Sequence, residues 1–408
     1  MSGRDAIRRL LVDPRVSKDA YRHWPAWING EVGAEWPLAI WVSVQNMITA
    51  YGPEHTRLRR PVATAFTSRR VAAMRPRIEQ VADELLDRLA ARPPGAVVDL
   101  RAEFAHELPT RIVFELFGIP ERSWAALHRI IKGFFDTGIS AEDAQANAEL
   151  LYVTMADLVA YRREHPADDL TSALIAARDV GEERAGGSPG GGAGESGAAG
   201  SAAAGNGAAG SGALSEKELV DNLILLFTAG YETSVNLICT AVIELLRNPS
   251  QAALVRDGLA SWEDVVEEAL RLEPPASYAL FRFAVEDVEV LGEETDEGRP
   301  VVVIPRGDPI LVSFASAGRD PAVHGPDAGT FDVTRPTRGD HLSFGFGTHH
   351  CLGATLARLE CAVALRRLFG RFPGLSLALE PGEELRRVES FISNGVRELP
   401  VRLGGSVP

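Results

Sequence analysis

Cysteine is scarce in this 408-residue chain: Cys239, Cys351 and Cys361 are the only three. A disulfide framework is excluded, which places the protein in a reducing, cytoplasmic compartment. Positive charge is also short. With 42 Lys and Arg against 56 Asp and Glu, the net charge is −14, which argues against a nucleic-acid surface and against anionic membranes. No uninterrupted apolar run reaches the roughly 18 residues that mark a bilayer span. The opening "MSGRDAIRRLLVDPR" carries no apolar signal-peptide core. Strand-like segments are few, and no internal repeat is visible. The remainder, 45% apolar and 24% charged, reads as a soluble, globular chain, expected to be a monomer. Its length suits one large domain or two ordinary ones.

Helical periodicity dominates. "RPRIEQVADELLDRLAARPPG" has apolar residues at helical spacing and stops at Pro93-Pro94, and Leu108 to Phe117 and Leu150 to Tyr161 follow the same pattern. Residues 185–213 break it, being nearly all Gly, Ala and Ser with the single charge Glu195. Such a segment cannot bury enough apolar surface to order itself, and it is expected to be a flexible insertion whose ends lie roughly 30 Å apart as a free coil. Order returns at Ser215, which stands three residues before Glu218 in capping-box spacing. A helix from about Glu216 to Arg247 follows, roughly 48 Å long, apolar on most faces in its middle and so expected to cross the core. "SWEDVVEEALRLEPP" is a second helix ending at a Pro pair. Alternation at Asp287 to Leu291, Pro300 to Pro305 and Pro309 to Phe314 marks strands. The fold class is mainly α with a small, late β region.

The chemistry centres on "HLSFGFGTHHCLGATLARLE", residues 341–360. Leu352, Leu356, Leu359, Val363 and Leu365 have helical spacing, so a helix is expected to start at or near Cys351. Its N-terminus would lower the thiol pKa and stabilise a thiolate. Gly345, Gly347 and Gly353 remove side chains where backbone passes close to something flat or large. Together they describe a thiolate ligand on a tight loop with amide N–H groups aimed at sulfur. His349 and His350 lack a second Cys or His pair at zinc-ligand spacing.

Phe344, Gly347, Cys351 and Gly353 fit F-x-x-G-x-x-x-C-x-G, which resembles the haem-thiolate loop of cytochrome P-450 monooxygenases. The resemblance implies a single helical domain over 1–408 that encloses haem b (iron protoporphyrin IX) between the long central helix and the cysteine loop. Cys351 would be the iron ligand, its thiolate favouring O–O cleavage. Phe344, Gly345, Gly353 and Ala229 would contact the haem. Ala229-Gly230-Tyr231-Glu232-Thr233 is similar to the family's acid–alcohol segment, which makes Glu232 and Thr233 the catalytic proton-handling pair. Ser234 stands where many relatives have a second Thr. Glu268 and Arg271, three apart on one helical face, resemble the family's buried Glu–Arg pair, with Arg335 as third, structural partner. His55 and Arg59, one turn apart, together with Arg282 and His349, match the haem-propionate contacts. Arg57, Arg60, Arg69 and Arg70 are expected on a solvated basic face, able to steer an acidic electron-transfer partner.

By analogy, Leu226, Ala229, Tyr278, Leu280, Phe391 and Ile392 would line a pocket for an apolar substrate of macrolide, steroid or polyketide type. The implied reaction inserts one atom of dioxygen into the substrate and reduces the other to water. Electrons would pass from NAD(P)H through a ferredoxin reductase and a ferredoxin, in secondary metabolism. Two alternatives stand beside it, a peroxide-using peroxygenase and a truncated, catalytically impaired haem- or ligand-binding remnant. The second arises because "DAIRRLLVDPRVSKDA", similar to the family's second helix, begins at residue 5, without the usual N-terminal helix and strands. A sheet edge would then be unpaired.

Overall fold

The computed structural model describes residues 3–33, 36, 38–134, 141–186, 213–291 and 301–405. Its helices of two turns or more are α1 (Arg4–Val12), α2 (Pro53–Ala63), α3 (Arg75–Ala90), α4 (Glu107–Phe117), α5 (Trp124–Phe134), α6 (Ala141–Glu164), α7 (Leu170–Gly186), α8 (Glu216–Arg247), α9 (Pro249–Arg256), α10 (Trp262–Leu272) and α11 (Ala354–Arg371). Apart from its ends, the expected flexible insertion lies outside the described residues. Ala185 and Gly186 complete α7, and Ala213 is buried.

Local chemistry explains the boundaries. Ser215 accepts from the Glu218 amide and Glu218 reaches back to Ser215, so the expected capping box opens α8. Ser261 and Asp264 cap α10 in the same way. In α3, Ile78, Val81, Ala82, Leu85, Leu86 and Leu89 share the buried face. α4 stops at Gly118, whose φ is +69° and where a Cβ would lie 2.2 Å from the Asp169 carboxylate.

α8 passes through the core against α4, α6, α10 and α11. By length and composition it could cross a membrane, contrary to the sequence expectation, but 61% of its most apolar stretch is buried inside the protein. The strands are β1 (Val16–Ser17), β2 (Val97–Asp99), β3 (Arg282–Ala284), β4 (Val288–Leu291), β5 (Val301–Ile304), β6 (Pro309–Ile310), β7 (Ser376–Leu377) and β8 (Pro400–Arg402). They pair as β1-β3-β6, β2-β8-β7 and β4-β5. β4 and β5 were legible in the sequence, whereas of the strand expected over Pro309 to Phe314 only Pro309–Ile310 forms, because Phe314 opens a short helix, Phe314–Gly318, capped by Ser313. β1, β2, β3, β7 and β8, at two or three residues each, are too short to show alternation.

Two buried polar contacts fasten this frame. Arg271 gives Nε to Glu268 Oε2 and Nη2 to Glu268 Oε1, both at 2.7 Å. It also donates to the carbonyls of Gly318 (2.5 Å), Ala328 (2.6 Å) and Thr330 (2.9 Å). Arg335 Nε approaches Glu268 Oε1 at 3.4 Å, and the Asp332 amide donates to the same oxygen at 2.9 Å. The sequence-level trio is therefore assembled and fully buried. The second contact joins α11 to α8. Glu360 is 1% exposed, hydrogen-bonds Ser234, and has one oxygen without a partner. Burial raises its carboxyl to about 8, although Ser234 opposes the shift.

Arg271→Met should lower stability by about 3–5 kcal/mol, because it strands the Glu268 charge in the interior. Thermal denaturation against the wild type measures this, and an unchanged midpoint would remove the cluster's structural role. Glu360 keeps a proton when folded that the unfolded chain releases above its ordinary value of 4.5. Its contribution is complete below that value and is lost as pH rises through about 8. Glu360→Gln stays neutral and should flatten the alkaline loss of stability. Urea midpoints at about pH 6 and about pH 8.5 compare the two proteins, and parallel losses would contradict this assignment.

Candidate active site

Cys351 lies between a short 3-10 turn, Gly347–His349, and the start of α11 at Ala354. The helix therefore begins three residues later than a start at the cysteine itself. The loop is held in place from several sides. The Cys351 amide donates to Phe344 O (2.8 Å), Ser343 Oγ donates to Leu270 O (2.6 Å), and Arg358 lies 4.5 Å over the Phe344 ring while also binding Glu267. The Gly353 and Ala354 amides point at the sulfur, as expected.

The expected drop in thiol pKa is not the net result. Surrounding protein desolvates the accessible Cys351 side chain and pushes its thiol up, with the two amides, Arg59 and Arg358 opposing. Cys239 and Cys361 are buried and pushed up as well, Cys239 to about 12. Cys351 alone among the three combines access with helix-start amides. The glycines also divide their roles. Gly347 (φ +73°) makes room for α1, since a Cβ there would lie 2.6 Å from Val12 Cγ1 and 3.3 Å from Leu11 O. Arg8 of α1 covers the Phe346 ring at 4.4 Å.

Beside this loop, cationic groups gather. α2 presents His55 and Arg59 one turn apart. The His55 and His349 rings lie 4.0 Å apart, and Arg59 Nη2 donates to His350 O at 2.5 Å. β1 pairs with β3 in the register Ser17↔Phe283, which carries Lys18 alongside Arg282. Lys18, missed in the sequence, is buried, as are His55 and Arg282. Burial first, and then their mutual repulsion, drives Lys18, His55 and His349 down, His55 to about 4. Burial alone takes Arg282 to about 10 and lowers Arg59. Among the described residues no carboxylate pairs with any of the five, and His55 Nε2 is buried without a partner. Burying these groups without a carboxylate is costly, and a ligand carrying more than one negative charge would offset that cost. A thiolate ligand next to a dianion-binding edge fits the iron and the two propionates of haem.

On α8, Ala229 and Thr233 are exposed one turn apart in a stretch otherwise largely buried, and Thr233 Oγ1 donates to Ala229 O at 2.9 Å. Glu232 faces elsewhere. It is buried and accepts from Arg101 Nη2 at 2.8 Å. Arg101 Nη1 donates to Asn236 Oδ1 (3.1 Å), and Asn236 Nδ2 donates to Ser393 Oγ (2.9 Å). The expected Glu–Thr pair is thus split between two sides of the helix. Arg101 and Asn236 gave no sequence signal, because lone polar residues acquire meaning only through their partners. Of the expected pocket, Tyr278 and Phe391 stack at 5.0 Å and 3°, and Phe281 lies near-parallel to Phe391 at 6.1 Å. The Ser277 amide donates to Ile392 O (2.9 Å), and Leu280 O accepts from Arg282. Leu226 is half-buried against the main core. Arg57 is not on a free basic face, since it binds Glu54, Glu218 and Ala213 O, whereas Arg60, Arg69 and Arg70 are exposed.

Comparison with known proteins places this geometry. The family profile described as Cytochrome P450 matches residues 201–390. The chain is 41% identical over 398 residues to 2-hydroxy-5-methyl-1-naphthoate 7-hydroxylase of Streptomyces carzinostaticus, covering 98% of this chain and 87% of that one. It is 38% identical to 6-deoxyerythronolide B hydroxylase of Saccharopolyspora erythraea, covering 99% and 90%. Among solved structures, CYP154A1 from Streptomyces coelicolor A3(2) superposes with a TM-score of 0.82 at 46% identity, covering 99% and 91%. Identity of this extent, with a matching fold and a cysteine loop beside a cationic edge, shows that the chain belongs to the cytochrome P450 family.

Proposed function

We propose that this P450 monooxygenase, with haem b as its cofactor, hydroxylates a ring-bearing, largely apolar small molecule of macrolide or polyketide type, in the cytoplasm, with electrons delivered by a ferredoxin and its reductase. The observation that carries this reading is one accessible sulfur set beside five cationic or imidazole side chains that lack an anion. Bound haem supplies a redox-active iron at which dioxygen is reductively activated. Cys351 would hold that iron, and Lys18, His55, Arg59, Arg282 and His349 would hold the propionates.

The remaining tasks fall to the chain's own residues. Placing one oxygen atom in a C–H bond and releasing the other as water requires two electrons and two protons. Thr233 Oγ1 sits on the exposed face of α8, where its hydroxyl can hand a proton to the reacting oxygen. Glu232 collects protons on the buried side, where Arg101 fixes its carboxylate. Tyr278, Leu280, Phe391, Ile392, Leu226 and Ala229 present mainly apolar surface that orients the substrate and excludes water. Two of the similar proteins are hydroxylases of 2-hydroxy-5-methyl-1-naphthoate and of 6-deoxyerythronolide B, which supports a ring-bearing substrate. Exposed Arg60, Arg69 and Arg70, in a chain of net charge −14, support docking of an acidic ferredoxin.

The carbon monoxide difference spectrum of the reduced protein should show the red-shifted Soret band of a thiolate-ligated haem, and Cys351→Ser should abolish it. A blue-shifted band in the wild type would remove Cys351 as ligand. With ferredoxin, reductase and NADPH, Thr233→Ala should keep consuming NADPH while product per NADPH falls by about tenfold and hydrogen peroxide rises. Unchanged coupling would take the proton role away from Thr233.

A further inference from the structure

The geometry points to a second metal site, remote from Cys351 in the chain, in which His106, Glu107 and His128 bind a divalent transition ion of borderline softness, of the Zn²⁺ type. One ligand atom from each of the three lies within 4.8 Å of the others, and all three residues are half-buried. Two imidazoles and a carboxylate form a donor set that suits zinc, nickel, cobalt or copper and does not suit magnesium or calcium.

The rings are held in position before any ion arrives. Residues Arg101–Ala105 form a π-helical turn, closed by the His106 amide donating to Arg101 O at 2.8 Å, and His106 then leads into α4. The His106 ring packs edge-on against Tyr231 of α8 at 4.9 Å and near-parallel to His128 of α5 at 5.6 Å and 22°. Phe114 packs edge-on against His128 at 5.3 Å. Aromatic neighbours thus fix both imidazole planes, and only a small closure of the three donors is needed to reach metal-ligand distances of about 2.0–2.2 Å. Among the described residues, the ion pairs of Glu107 are loose, with Arg88 at 3.7 Å and Arg111 at 3.5 Å. Pairs of this kind contribute little and yield to a divalent ion. Glu107 also lines a surface cleft with Arg88, Leu89, Arg92, Ala102 and Glu103, which gives an ion a path from solvent. An ion here ties α5 to α4 beside Tyr231, next to the Arg101–Glu232 pair.

Calorimetric titration of ZnCl₂ into the haem-loaded protein tests the site. One ion per chain is expected, with a raised thermal midpoint and no displacement by excess Mg²⁺. The double variant His106→Phe/His128→Phe keeps the ring contacts and should bind Zn²⁺ about tenfold or more weakly, with an unchanged carbon monoxide spectrum reporting its fold. Glu107→Gln should weaken binding less. Cu²⁺ added to the wild type should give an electron paramagnetic resonance signal with hyperfine structure from two imidazole nitrogens, a readout that needs no variant. Equal Zn²⁺ affinity in the double Phe variant, displacement by Mg²⁺, or a Cu²⁺ signal without nitrogen coupling would each overturn the site.

Discussion

Arg271 is the fastening on which the irregular segment between Gly318 and the cysteine loop depends. Its guanidinium is fully buried, and its donors go to both Glu268 oxygens and to the carbonyls of Gly318, Ala328 and Thr330. A single side chain of α10 therefore holds three points of the irregular segment that leads toward the cysteine loop, and Arg335 braces the same segment from within. Gly318 shows how tight the fit is, since a Cβ there would fall 1.9 Å from Arg271 O. An irregular backbone needs such an anchor, because it lacks the ladder bonds that make helices and strands self-supporting. α1 completes the hold from the other side through Gly347 and Phe346.

A second constraint is electrostatic. Pairing β1 with β3 puts Lys18 beside Arg282, and α2 adds His55 and Arg59 next to His349. Like charges brought together in the interior oppose folding unless a ligand neutralises them. Stability would thereby be linked to binding of an anionic ligand, and a haem that relieved the repulsion through its propionates would also bring its iron to Cys351. The chain stores the need for its cofactor in the register of a two-residue strand.

α8 is the third organiser, and its two sides do different work. Ala229 and Thr233 form its exposed stripe, while Glu232 and Asn236 engage Arg101 and Ser393. Ser234 turns toward Glu360 on α11. Ser234 thus adds a polar link between the central helix and the helix following the cysteine.

By itself the sequence determined the local and the charged-motif features. The capping box at Ser215 and Glu218, the extent of α8, the E-x-x-R spacing and the Phe344-to-Gly353 loop each depend on residues close in the chain, where spacing alone fixes geometry. The gathering of His55, Arg59, Arg282 and His349 was also legible, through the family resemblance of the segments they sit in. Tertiary structure decided the rest. Lys18, Arg101, Asn236 and Glu360 have no motif, and their meaning comes from partners far along the chain, such as Ser393, 157 residues from Asn236. It decided too that Cys351 is desolvated, that Glu232 and Thr233 face apart, that Arg57 is an internal tie, and that His106, Glu107 and His128 meet. Burial and charge proximity are sums over the whole fold, and no window of sequence contains them.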